Sequence, residues 1–87
     1  MTVAEKIEDK LKRAFSPSDL AVIDESHLHA GHAGARPQGE SHFRVRIVSD
    51  KFAGLSRVAR QRAIYEVLAE ELATDIHALA LEVKDHP

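Results

Sequence analysis

The residues of this 87-residue chain best equipped for chemistry are six histidines: His27, His29, His32, His42, His77 and His86. Neutral imidazole binds zinc, copper, nickel and iron, so histidines gathered in one place make a candidate metal site. The chain has no cysteine. That excludes a disulfide framework, thiolate chemistry, and any zinc site or cluster held by its own sulfur. Whether the histidines meet depends on the elements that carry them.

Thr2 and Glu5 form a Thr-x-x-Glu capping box. Val3, Ile7, Leu11 and Phe15 follow at fourfold spacing with Ala14 beside them, and Lys6, Asp9 and Lys10 fall outside the stripe. This predicts an amphipathic first helix, stopped at Ser16-Pro17-Ser18 because proline cannot continue it. Leu20 to Asp24 reads as a first strand. Ser26 to Ser41 holds three of the four glycines and Pro37 without periodicity, so it reads as a loop. Loops of that length are usually functional or disordered. His42 to Val48 alternates Phe43, Val45 and Ile47 with Arg44 and Arg46, the pattern of a half-buried strand. Gly54 marks a turn, and Ser56 caps a second helix running to about Ala73. The buried stripe of that helix is predicted as Val58, Ile64, Tyr65, Leu68 and Leu72, with Gln61 beside it. Ile76 to Val83 is the last strand.

The order α-β-β-α-β predicts an α+β single domain over 1–87, with helices on one face of a three-stranded mixed sheet. The first two strands can pair antiparallel, and a right-handed crossover makes the last two parallel if they are neighbours. That topology has a chemical consequence. Neighbouring parallel strands start at the same end, so His42 and His77 share that end with the loop carrying His27, His29 and His32. His86 in the tail is left out. Solvated loop histidines and ordinary strand-end histidines explain the same pattern. Parity also separates the two strand residues, since His77 shares the face of Leu79 whereas His42 opposes that of Phe43. Pattern alone leaves both readings open.

Composition narrows the alternatives. The formal charge of −2 argues against strong non-specific nucleic-acid binding, although Lys51, Arg57, Arg60 and Arg62 could form a local basic patch. No run is long and apolar enough to span a membrane, and the start of the chain is a charged helix pattern, so a cytoplasmic protein is expected. There is no P-loop, dinucleotide glycine motif or recognisable nucleophile motif. Glu40 and His42 read more simply as loop polarity than as an acid–base pair, so no enzyme is expected.

A set of short motifs carries a resemblance. Asp24-Glu25-Ser26, His29-Ala30, Gly39-Glu40-Ser41-His42-Phe43, Ile47-Val48-Ser49, Phe52 with Gly54, and Ile76-His77-Ala78-Leu79 resemble the BolA family in order and spacing, from Ile7 to Val83. The resemblance implies a class II KH-like fold, with a short helical turn near Asp50 to Gly54 before the second helix. It also implies a monothiol glutaredoxin partner, with a [2Fe–2S] cluster shared between the glutaredoxin, glutathione and this chain. The family's histidine at the start of the last strand maps to His77. Its second ligand comes from the loop, where His29 matches best and His32 competes; His42 and His27 are possible additional ligands or neighbours of them. Histidine replaces cysteine on one iron in Rieske centres, so the donor type is chemically sound. In the free state a monomer or weak homodimer is expected. One departure stands out: where the family often carries Arg-His-Arg, this chain has Arg60-Gln61-Arg62. Some BolA-like proteins are transcriptional regulators, which keeps a DNA-binding role as the alternative.

Overall fold

The computed structural model describes residues 2–25 and 42–87. Its elements run α1 (Val3–Phe15), β1 (Asp19–Asp24), β2 (His42–Val48), a 3-10 turn (Asp50–Phe52), α2 (Arg57–Val67), α3 (Ala69–Thr74) and β3 (Ala78–Lys84). The strands lie in the order β1-β2-β3, with β1 antiparallel and β3 parallel to β2. This is the mixed sheet expected, and the helical turn implied by the resemblance is present. Among the described residues no helix is long and apolar enough to cross a membrane.

Local chemistry explains each boundary. The Thr2 hydroxyl accepts the Glu5 N–H, the Glu5 carboxylate accepts the Thr2 N–H, and both otherwise orphaned donors are satisfied. At the other end Ser16 takes a left-handed conformation (φ 44°) and donates its N–H to the Lys12 carbonyl, which turns the chain into Pro17. Ser49 then ties the end of α1 to the end of β2. Its buried hydroxyl donates to the Phe15 carbonyl at 2.7 Å and accepts the Lys51 N–H at 3.2 Å.

The core lies between the helices and one face of the sheet. Phe43, Val45 and Ile47 of β2 meet Ile7, Leu11 and Phe15 of α1, Phe52 of the turn, and Ile64 and Leu68. Phe15 and Phe52 stack at 4.7 Å between ring centroids. Here the sequence reading needs correction. Val58 is 57% and Tyr65 37% exposed, so neither belongs to the buried stripe. Positions 58 and 65, seven apart, share a face rotated away from the one that carries Ala63-Ile64, Val67-Leu68 and Leu72. The long second helix also breaks at Leu68 (φ −100°, ψ 16°) into α2 and α3. Past that break Glu71 is buried, and its carboxylate meets the Lys10 ammonium at 2.7 Å, clamping α3 to α1.

The last strand starts two residues later than expected. The N–H groups of Asp75 and Ile76 both donate to the Glu71 carbonyl at 2.8 Å, closing the helix. Ile76 and His77 thus form the bend into β3 rather than its first rungs.

Candidate metal centre

The β2–β3 register pairs His42 with Ala78, which places His77 immediately beside His42 at the end of the sheet where both strands begin. The two imidazoles stand edge to face, with ring centroids 5.1 Å apart. His42 is buried at 8% exposure, whereas His77 is exposed. The parity conflict disappears because His77 precedes the ladder, so the alternation of the pleat does not govern its side chain. The convergence predicted from topology is therefore observed for this pair.

The ends of the loop meet at the same place. The Glu25 N–H donates to the His42 carbonyl at 2.7 Å, so residues 25 and 42 are neighbours across β1 and β2. His27, His29, His32 and Glu40 lie outside the described residues. His86 follows the opposite end of β3 from His77 and is hydrogen-bonded to Asp85 at 2.7 Å.

The nearby carboxylate is already engaged. Glu25 accepts from Arg44 at 3.0 Å, and Arg44 also faces Glu82 at 3.9 Å, which in turn accepts from Arg46 at 2.9 Å. This ladder crosses the sheet face opposite the helices. Its chemistry keeps Glu25 and Glu82 occupied, while His42 and His77 bring imidazole nitrogens to the sheet end. Among the described residues no group of three or more His, Cys, Asp or Glu side chains could hold a metal ion. A His42–His77 pair has suitable donor chemistry for iron in a shared cluster, but it supplies only part of a coordination sphere.

The basic patch separates into two kinds of residue. Lys51 donates its ammonium to the Ala14 carbonyl at 3.3 Å, at the negative end of α1. Arg60 donates to the Leu55 carbonyl at 3.1 Å and faces Asp85 at 3.7 Å. Arg57 and Arg62 are exposed, but five positions apart they point about 140° from one another around α2. Sequence reasoning passed over Lys84 and Gln61 as groove residues. They lie with Arg57, Arg60 and Leu81 along a cleft between α2 and β3, and only the β3 register reveals that neighbourhood.

The element order and the mixed sheet define an α+β protein, and the histidine pair gives it a chemically distinctive sheet end. Its class can be named more narrowly. The chain matches the BolA-like protein family model over residues 11–86, and it belongs to the BolA family. It is 52% identical over 81 residues to the DNA-binding transcriptional regulator BolA of Escherichia coli K12, covering 93% of this chain and 73% of that protein. The solved BolA domain of SufE1 from Arabidopsis thaliana is similar with a TM-score of 0.83 at 44% identity, over 93% of this chain and 88% of that one. BolA1 from Arabidopsis thaliana gives a TM-score of 0.85 at 36% identity, covering 100% and 99% of the two chains.

Proposed function

We propose that this chain is an accessory protein of iron–sulfur cluster assembly, trafficking or iron sensing, which binds a monothiol glutaredoxin and co-ligates a [2Fe–2S] cluster through histidine. The observation that supports this most is the exposed His77 imidazole set against buried His42, at the end of the sheet where residues 25 and 42 meet. His77 offers a nitrogen to the partner's side of the site, and His42 fixes the ring beside it. His29 or His32 supplies the second nitrogen. The sulfur this chain lacks comes from the glutaredoxin's cysteine and glutathione. When bound, such a cluster supplies one-electron chemistry, at a potential raised by histidine in place of cysteine. In this reading the protein works in the cytoplasm, and as a monomer or weak homodimer until the partner binds.

Mixing the protein with a monothiol glutaredoxin, iron, sulfide and glutathione tests the reading. The expected product is a heterodimer with visible cluster absorption, which His77→Ala destroys or shortens in lifetime. If both His77→Ala and His29→Ala leave the absorption and lifetime unchanged, the ligand assignment is wrong.

A second reading is a nucleic-acid-binding regulator, favoured by the name of the Escherichia coli relative and by exposed Arg57 and Arg62 on α2. Against it stand the net charge of −2, the engaged Lys51 and Arg60, and a Gly54-Leu55-Ser56-Arg57 turn without the second glycine of a Gly-x-x-Gly clamp. Affinity for a DNA duplex measured across salt concentrations separates the readings, because phosphate contacts impose a steep salt dependence. A flat, negligible response removes the second reading.

A further inference from the structure

The cleft between α2 and β3 lies away from the histidine pair and has a volume of ≈ 720 Å³. Seven residue steps separate His77 from Lys84 along β3, roughly 23 Å at strand rise. Two independent features of this cleft point to one kind of ligand.

The first is an open sheet edge. Among the described residues β3 pairs only with β2, so its other side is an edge. The Ser49 N–H donates to the Lys84 carbonyl, which fixes the direction of every residue in the strand. Main-chain groups alternate sides along a strand, so Ala78, Ala80, Glu82 and Lys84 face β2. Leu79, Leu81 and Val83 then turn their N–H and C=O groups towards the free edge. An exposed row of this kind is a template for another extended chain. Leu81 and Val83 both border the cleft.

The second feature is charge. Among the described residues, Arg57, Arg60, Glu82 and Lys84 are the ionisable side chains lining the cleft. Glu82 is held by Arg46 on the other face of the sheet, and Arg60 is partly offset by Asp85. Within the described residues Arg57 and Lys84 form no close ion pair, although the Lys84 charge acts on Glu82 at longer range. The cleft therefore presents cations on either side of an unpaired strand. Gln61, the departure from the family's usual triplet, lines it with an amide that can both donate to and accept from a peptide backbone.

We propose that the α2–β3 cleft binds an acidic peptide segment of a partner protein, added as a fourth strand along Leu79, Leu81 and Val83, with Arg57 and Lys84 holding its carboxylates and Gln61 reading its main chain. A second copy of this chain is a poorer occupant, because its own β3 edge brings Lys84 again and a Glu82 already engaged by Arg46. The inference is independent of the cluster reading, since it uses neither histidine.

The probe is a fluorescein-labelled eight-residue peptide alternating glutamate with valine, followed by anisotropy and by amide hydrogen exchange on the full chain. Binding should slow exchange at the Leu81 and Val83 amides. The same peptide carrying N-methyl groups at alternate positions should not bind, because strand addition requires its N–H groups. Arg57→Glu combined with Lys84→Glu, both exposed positions, should weaken binding by about tenfold or more. His77→Ala should leave it unchanged. The proposal is overturned if the peptide does not bind, if it binds without protecting those two amides, or if the N-methylated peptide binds as well. It is also overturned if an octamer of single-stranded thymidylate displaces the peptide and binds the cleft more tightly.

Discussion

At the scale of single residues, the informative contrast is between His42 and His77. Both are identifiable in the sequence as strand-start histidines, but strand alternation puts their side chains on opposite faces. The bend at Ile76 and His77 removes that conflict, and no periodicity could have revealed it, because it depends on two N–H groups converging on the Glu71 carbonyl. Glu71 itself was invisible for a related reason. An acid in a helical run reads as solvent-facing until a partner is placed against it, and its partner, Lys10, is 61 residues away in sequence. The Lys10 side chain is 34% exposed and that of Glu71 only 4%, so the pair is half-screened. Lys10→Ala should leave the carboxylate buried and alone, and lower unfolding stability by about 1–3 kcal/mol. Denaturant midpoints check this. Adding Glu71→Leu to Lys10→Met should recover most of the loss, and no recovery would show that the clamp acts through something other than the ion pair.

At the scale of elements, capping and alternation were legible, and tertiary rotation was not. The Thr2–Glu5 box, the stop at Pro17 and the His42–Val48 strand follow from local rules. The core-facing side of α2 does not, because Val58 and Tyr65 are apolar at helical spacing yet lie on the face turned away from the sheet. Ser16 offers a test of the local rules. It holds a left-handed φ of 44° that costs a side-chain-bearing residue energy glycine does not pay. Ser16→Gly should therefore raise stability by about 0.5–1 kcal/mol in thermal or denaturant unfolding. A loss of similar size would mean that the Ser16 side chain contributes more than its backbone strain costs.

At the scale of the whole molecule, one arrangement does two jobs. The parallel β2–β3 pair brings His42 and His77 to one end of the sheet, and the same pairing leaves the far side of β3 open beside α2. The order of elements was enough to anticipate the histidine end. It could not disclose the cleft, because Lys84 joins Arg57 and Gln61, one turn apart on α2, only through packing. The ion-pair ladder on the opposite face makes a prediction about pH. The hydrogen bond from Arg46 holds the Glu82 carboxyl below its ordinary value of 4.5, with the Arg46 charge acting in the same direction. A carboxyl lowered in the folded state contributes stability that is present above about 4.5 and is lost as pH falls through the lowered value. Stability measured from pH 7 down to pH 3 should therefore decline on the acid side. Glu82→Gln should flatten that decline, and an identical acid limb in the variant would exclude the ladder as its source.

The central claim is that this chain gives nitrogen ligands to a cluster whose sulfur comes from elsewhere. The most direct measurement is pulsed electron paramagnetic resonance on the reduced heterodimer with a monothiol glutaredoxin, assembled with only this chain carrying ¹⁵N-histidine. The account predicts hyperfine couplings from directly bound histidine nitrogens of this chain, with one coupling lost in His77→Ala. A reduced [2Fe–2S] cluster that shows no ¹⁵N coupling from this chain would contradict it.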